Sequence, residues 1–312
     1  MSERAVRVRA LRWEADGVVS LELEAADGAP LPPWEPGAHL DLVLPEGLER
    51  QYSLCGRPDA STWRVAVRRE ADGRGGSAWV HDRLRPGTTL PVRGPRNHFA
   101  LVDAPAYLFI AGGIGITPLL PMAERATAAG REWRLHYGGR SRVGMAFVEE
   151  LAGYGERVAL YPRDEGGRID LEAVLDDAPA DAAVYCCGPP SLVDTVVRLC
   201  AERDRQVSVE RFAPVIPAEA ARAGDGFEVQ LLRSGVKVEV AGGQSILEAV
   251  EAAGVWPPSS CLEGTCGTCE TRVVEGRVDH RDSILTEAER ASGETMLICV
   301  SRADCARLVL DL

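Results

Sequence analysis

Three cysteines stand within nine residues, at Cys261, Cys266 and Cys269 of the segment SCLEGTCGTC, and Cys299 follows after 29 more. Four thiolates that must converge on two irons need a loop that curls around them, and this is the plant-type [2Fe–2S] spacing. Gly264 and Gly267 permit the backbone turns this requires and leave amides free to point at sulfur. Zinc is the alternative. Cys266 and Cys269 form a CxxC pair, but no second CxxC or HxxxH follows at finger spacing. Cys305 rivals Cys299 as the fourth ligand. Cys299 ends the apolar run MLIC and fits better, which leaves Cys305 as a packed thiol. Nine cysteines in all, several of them clustered, point to metal or redox chemistry rather than disulfides.

A chain of 312 residues is long for one domain. No apolar run approaches the roughly 18–20 residues that span a bilayer. The opening MSERAVRVRALRWEADG has no continuous apolar stretch, so the expected location is the cytoplasm, with no membrane partner. A net charge of −12 argues against nucleic acid, which needs basic patches to neutralise phosphates. Residues 226–312 hold 14 Asp/Glu against 8 Lys/Arg, a net of −6. That excess reads either as simple solubility or as an acidic docking face for a basic protein partner.

Residues 1–101 alternate or run apolar in short stretches (AVRVRAL, VVSLELEA, HLDLVL, RQYSLCG, TWRVAVRRE) between Gly, Pro and Asp turns. This predicts an antiparallel β-barrel, interrupted by one helix at GGSAWVHDRL. Residues 102–212 alternate strands and helices, with helices expected near 144–152, 170–177 and 191–203. The pattern predicts a doubly wound α/β parallel sheet of the nucleotide-binding kind. Residues 213–225, rich in Ala, Pro and Gly without period, read as a linker. Residues 226–312 read as a smaller α+β domain: a hairpin, the helix SILEAVEAAG, the cysteine loop and further strands.

Three other motifs carry candidate chemistry. RQYSL, residues 50–54, offers Arg50 as a phosphate or flavin partner, Tyr52 as an aromatic face and Ser53 as a hydroxyl, and GRGGS, 73–77, opens a helix. Glycine-rich backbone at a helix start can hold an anion. The bland alternative is a surface arginine, a barrel tyrosine and an unrelated turn. AGGIGITP, 111–118, follows a strand and opens a helix, so it can hold a pyrophosphate on amides. Gly113 and Gly115 match the dinucleotide fingerprint, Pro118 replaces its third glycine, and a proline suits the first helical position. YCCGPP, 185–190, is a second strand-to-helix turn on the same sheet, where Cys187 could meet a nicotinamide. Cys55, Cys186 and Cys200 read as core thiols, and the five histidines are too scattered to form a ligand set.

In this order, RxYSL, GGIGITP, a CGP turn and a C-terminal plant-type cysteine loop resemble the phthalate dioxygenase reductase family over essentially the whole chain. GPRNHF, DHRD and VSRA also look like its segments. The resemblance implies FMN rather than FAD in a ferredoxin-NADP reductase-like core, a nicotinamide dinucleotide in the middle domain, and a [2Fe–2S] cluster in a C-terminal β-grasp ferredoxin domain. It implies that Arg50, Gln51, Tyr52 and Ser53 contact flavin and that Gly75, Gly76 and Ser77 take its phosphate. Gly113, Ile114, Gly115, Thr117, Cys187, Gly188 and Pro189 would line the nicotinamide site, and Phe212 would lie near the flavin ring. Ser53, Cys187 and Phe212 are the residues expected closest to the chemistry. NADH is the expected coenzyme. Arg140, Ser141 and Arg142, which follow the strand RLHYGG with no acidic residue in that short stretch, leave NADPH open.

A nicotinamide gives two electrons at once and an iron–sulfur cluster accepts one, so a flavin between them accounts for fusing the three modules. The resemblance implies an acceptor in the terminal component of a Rieske-type aromatic dioxygenase or O-demethylase, or else a cytochrome P450, docking at the acidic ferredoxin domain. An iron–sulfur sensor without turnover is a different reading, and a self-contained flavin oxidoreductase is a third.

Overall fold

The structure, a computed structural model, describes residues 3–71, 73, 75–216 and 218–312. It forms two compact units, Met1–Glu210 and Arg211–Leu312. Among the described residues no helix is long and apolar enough to cross a membrane.

The first unit begins with strands β1 (Arg4–Ala15), β2 (Val18–Ala25), β3 (Ala38–Leu44), β4 (Leu48–Ser53) and β5 (Trp63–Arg68), helix α1 (Gly76–Arg83) and strand β6 (Thr89–Asn97). The strands form one antiparallel sheet, ordered β4-β3-β6-β1-β2-β5. A bridge between Leu54 and Val65 brings its two edges together, as a barrel requires. Alternation explains the inward faces: Val6 and Val8 of β1 are fully buried while Arg7 and Arg9 between them are exposed.

The same unit continues with β7 (Ala106–Gly112), α2 (Leu119–Ala128), β8 (Glu132–Gly139), α3 (Val148–Ala152), β9 (Val158–Pro162), α4 (Leu171–Asp177), β10 (Ala182–Cys187), α5 (Pro190–Ala201) and β11 (Val207–Glu210). These strands form a parallel sheet ordered β11-β10-β7-β8-β9. Every residue of β7 is buried, as expected for a strand covered by helices on both faces. Burying Leu108, Phe109 and Ile110 stabilises by about 2 kcal/mol each. The chain winds outward from β7 through β8 and β9, then returns to the other side at β10, so the order reverses between β7 and β10. Contacts between the barrel half and the parallel-sheet half include the following. Arg64 of β5 donates to both carboxylate oxygens of Glu150 in α3, at 2.9 and 3.0 Å. The Tyr185 hydroxyl of β10 donates to the Ala100 carbonyl at 3.0 Å and accepts from the Val102 amide at 2.8 Å.

Two local expectations shift. The helix expected near 144–152 starts at Val148, because Phe147 adopts a left-handed φ of 64° and buries its ring instead of continuing a helix. Pro118 precedes the first residue of α2 rather than occupying it, after a 3-10 turn at Gly113–Ile116.

The second unit contains α6 (Ala218–Ala221), β12 (Phe227–Leu231), β13 (Lys237–Val240), α7 (Ile246–Ala252), β14 (Glu270–Glu275), β15 (Val278–Asp279), α8 (Glu287–Ser292), β16 (Thr295–Leu297), β17 (Arg302–Ala303) and β18 (Arg307–Leu310). Its main sheet is ordered β13-β12-β18-β14-β16, with β12 and β18 parallel. Ser245 and Glu248 close a capping box on α7, whose Ile246, Leu247 and Val250 enter the core. The 213–225 stretch is not featureless. It holds α6, and the Ala221 and Ala223 carbonyls accept from Arg281 at 2.6 Å each.

Candidate functional site

The reversal between β7 and β10 is a switch point of the parallel sheet, and the carboxyl ends of the strands there are the usual ligand position in such a sheet. The AGGIGITP turn leaves β7 and the CGP turn leaves β10, and they touch through backbone. A Cβ on Gly115 would lie 2.3 Å from the Cys187 carbonyl oxygen, one on Gly112 would lie 2.6 Å from Pro189 Cδ, and one on Gly188 would lie 2.9 Å from the Gly112 Cα. Only glycine permits this approach. Gly113 adopts a left-handed φ of 55°. Thr117 is buried, and its hydroxyl donates to the Ile114 carbonyl at 3.0 Å, which fastens the turn. Arg68 of β5, not singled out from sequence, reaches this turn: its Nη1 is 3.5 Å from where a Gly113 Cβ would stand.

Glu210 was also missed by sequence reasoning. Its Oε2 accepts from the Ser53 hydroxyl at 3.1 Å and lies 4.0 Å from Cys187 Sγ. It therefore joins the barrel strand β4 to the end of β10. Burial pushes its carboxyl up to about 8, against a partial lowering by Ser53. Burial, then the neighbouring Glu210, raises the Cys187 thiol well above the ordinary thiol range. At neutral pH both groups keep their protons. The folded chain holds the Glu210 proton more tightly than the unfolded chain does. That stabilisation is complete below about pH 4.5 and is lost as pH rises through 8. At about 1.4 kcal/mol per pH unit, wild type should lose roughly 2–4 kcal/mol more than Glu210→Gln between pH 5 and 8. Denaturant unfolding across that range checks this; parallel slopes would refute the neutral carboxyl.

Arg50, Gln51, Tyr52 and Ser53 end β4 at the edge of the barrel sheet. Gln51 Nε2 donates to Asp41 at 3.1 Å, and Asp41 also accepts from Arg96 at 2.6 Å in a buried pair. Burial raises the Tyr52 phenol to about 12, so it stays neutral. The start of α1 packs on this strand: a Cβ on Gly76 would lie 2.7 Å from Arg50 Cγ. Gly75 enters the helix at φ 82° with no side-chain cap, and Ser77 Oγ accepts from the Glu70 amide at 3.0 Å. An arginine beside uncapped amides suits a terminal phosphate. Arg74 of the same motif lies outside the described residues. Arg140, Ser141 and Arg142 follow the end of β8, and Phe212 belongs to the second unit, where it is 45% exposed.

In that second unit Cys261, Cys266, Cys269 and Cys299 are all buried. Three residues of their loop take left-handed backbone: Leu262, Gly264 and Gly267, at φ 60°, 70° and 71°. This curl turns the Glu263 and Thr265 amides onto Cys261 Sγ, at 3.3 and 3.4 Å. Cys261 also meets the Cys266 and Cys299 thiols, and Cys299 meets Cys269. The Cys266 and Cys299 thiols, then the Glu263 amide, hold Cys261 well below the ordinary thiol range, while the same contacts hold Cys266 and Cys299 above it. The loop has no room to open inward, since a Cβ on Gly264 would lie 2.5 Å from Val300 Cγ2. Cys305 stands apart, donating to the Arg307 carbonyl at 3.0 Å and accepting from the Arg277 amide at 3.2 Å. Four convergent thiols, with two amides donating to Cys261, suit a cluster of two irons.

Comparison with known proteins agrees. The 2Fe-2S iron-sulfur cluster binding domain family matches residues 229–304. The phenoxybenzoate dioxygenase subunit beta of Ectopseudomonas oleovorans is 46% identical, over 100% of this chain and 98% of its own length. The phthalate dioxygenase reductase of Burkholderia cepacia is 40% identical, over 96% and 94%. A solved phthalate dioxygenase reductase, described as a modular structure for electron transfer from pyridine nucleotides to [2Fe–2S], superposes with a TM-score of 0.72 at 38% identity, covering 100% of this chain and 98% of that one. An intact type IV self-sufficient cytochrome P450 monooxygenase superposes with a TM-score of 0.93 at 45% identity, covering 99% of this chain. This chain spans 41% of that P450's length. With relatives this similar over their full length, the chain belongs to the phthalate dioxygenase reductase family, the FMN- and [2Fe–2S]-containing NAD(P)H oxidoreductases of oxygenase systems.

Proposed function

We propose that this chain takes electrons from NADH and delivers them, through FMN and a [2Fe–2S] cluster, to the terminal component of a Rieske-type aromatic dioxygenase or O-demethylase. The observation that carries the reading is the meeting of Ser53, Cys187 and Glu210 at the switch between β7 and β10. Bound FMN supplies the conversion of a two-electron donor's output into single electrons. Residues 1–101 would form its barrel, 102–212 the coenzyme domain, 213–225 the linker and 226–312 the ferredoxin domain.

Arg50 and the amides of Gly75, Gly76 and Ser77 would hold the flavin phosphate, while Gln51, Tyr52 and Ser53 line the ring. Gly113, Ile114, Gly115 and Thr117 would cradle the coenzyme, with Arg140 and Ser141 at its adenosine end. Cys187, Gly188 and Pro189 would press the nicotinamide toward the flavin. Ser53 and the neutral Glu210 carboxyl keep a hydrogen-bonding group and a proton beside that position. Cys261, Cys266, Cys269 and Cys299 would bind the cluster.

The acceptor would dock at the acidic ferredoxin domain, where Trp256 and Leu262, flanking Cys261 in sequence, are 76% and 44% exposed. Charge there would mainly raise the association rate. A cytochrome P450 acceptor is the second reading, favoured by the likeness to the self-sufficient P450.

Anaerobic titration with NADH should bleach a flavin band and raise a rhombic [2Fe–2S] EPR signal. Flavin bleaching without that signal would break the route to the cluster. With purified acceptors, a Rieske oxygenase should be reduced at least tenfold faster than a P450, at a rate that falls as salt rises from 50 to 300 mM. The reverse ranking would favour the second reading.

A further inference from the structure

The stretch Arg140–Ser141–Arg142 reads in sequence as a basic patch without an acidic neighbour. The fold supplies the acids from elsewhere. Strands β8 and β9 are parallel neighbours, with Gly139 opposite Pro162, so the segments that follow them lie side by side. The Asp164 amide donates to the Arg140 carbonyl at 3.2 Å, and the Arg142 amide donates to Asp164 Oδ1, also at 3.2 Å. The Arg142 guanidinium is then clamped by both oxygens of Glu165: Nε to Oε1 at 2.6 Å and Nη2 to Oε2 at 2.8 Å.

These groups stand at the carboxyl end of the strand next to β7. A coenzyme whose pyrophosphate sits at the β7 turn extends its adenosine ribose toward that end. There the two coenzymes differ only at the 2′ position: NADH carries a hydroxyl, and NADPH a phosphate with nearly two negative charges. A hydroxyl can donate to a carboxylate. A 2′-phosphate needs the guanidinium fork that Glu165 already fills, and it would face the carboxylates of Glu165 and Asp164. Both partners of the Arg142–Glu165 pair are 48% exposed, so the pair itself adds little to stability. Its effect falls on what can bind beside it.

We propose that Glu165, acting through Arg142, is the residue that selects NADH over NADPH. Arg142 alone would read as a phosphate-binding arginine; the bidentate carboxylate neutralises it. Glu165 touches no reacting atom and is a positioning residue. The inference rests on the coenzyme placement given under the proposed function, so the test separates the two.

The holoenzyme, its Glu165→Gln variant and the Arg142→Ala/Glu165→Gln double variant are titrated calorimetrically with 5′-ADP and with 2′,5′-ADP. Stopped-flow flavin reduction by NADH and NADPH runs in parallel. Glu165→Gln should improve binding of 2′,5′-ADP relative to 5′-ADP by about tenfold, with a matching shift in the NADPH/NADH efficiency ratio, at the electrostatic worth of one neighbouring charge near the surface. The double variant should lose that gain, because no freed guanidinium remains. If the single variant binds 5′-ADP and leaves the ratio unmoved, the inference fails while the coenzyme site stands. A gain that persists in the double variant also overturns it, since Arg142 would then play no part. Failure of wild type to bind either nucleotide would remove both the site and the inference. Retained flavin absorbance shows that each variant is folded.

Discussion

Cys299→Ser is expected to bring bound iron close to zero and to slow reduction of cytochrome c by NADH at least a hundredfold. NADH-dependent reduction of ferricyanide should stay within a few-fold of wild type. Cys299 is buried and in contact with Cys261 and Cys269, so its loss leaves one side of the core without a thiolate. A serine hydroxyl keeps its proton near neutral pH and is a poor replacement. Metal binding is also folding free energy, so the second unit should melt at lower temperature and the first should not. Cys305→Ser is the paired control. Its thiol bonds the Arg307 carbonyl and the Arg277 amide, contacts a hydroxyl can reproduce, so iron content should be unchanged. Iron analysis, EPR and the two acceptor assays read the outcome. Loss of iron from the Cys305 variant with retention in the Cys299 variant would reverse the ligand assignment.

Gly115→Ala should slow flavin reduction by NADH a hundredfold or more. The added methyl would lie 2.3 Å from the Cys187 oxygen, 2.5 Å from its carbonyl carbon and 2.7 Å from the Gly188 nitrogen. All three are backbone atoms, so no rotamer change relieves the clash and the two turns must separate. A shift of about 1 Å at a reacting centre can cost that factor in rate, and overpacking of this kind costs about 1–3 kcal/mol of stability. Stopped-flow absorbance gives the rate. Reduction by dithionite should still raise the cluster signal, which separates a damaged coenzyme site from a damaged fold. Gly130→Ala is the comparison. Gly130 has φ 65° but no neighbour within 4 Å of the new methyl, so only backbone strain of about 1 kcal/mol applies and flavin reduction should be near normal. Equal rates for the two variants would show that the turn contact is not needed.

The cysteine loop, the glycine turns and the strand RQYSL were legible as local structure because each is short and set by its neighbours in sequence. Alternation in β1 and the continuous apolar run of β7 disclosed the two sheet types for the same reason. Glu210 was not legible. Its meaning comes from Ser53, 157 residues away, and from burial that a lone glutamate in VSVERF does not announce. Glu165 was hidden similarly: nothing near Arg142 in sequence reveals a carboxylate delivered 23 residues later by the parallel neighbour of β8. The late start of α3 reflects packing. Burying the Phe147 ring outweighed the helical preference of the residues before Val148.

The contact among Gly112, Gly115 and Gly188 leaves the point where the two turns meet with no side chain of its own to exchange. Mutation can damage this meeting point but has almost no means of adjusting it. Within such a lineage, drift in coenzyme preference would therefore have to be written at the rim, on the segments after β8 and β9, while the meeting point stays constant and silent. Attempts to retarget the protein to another nucleotide should begin at that rim.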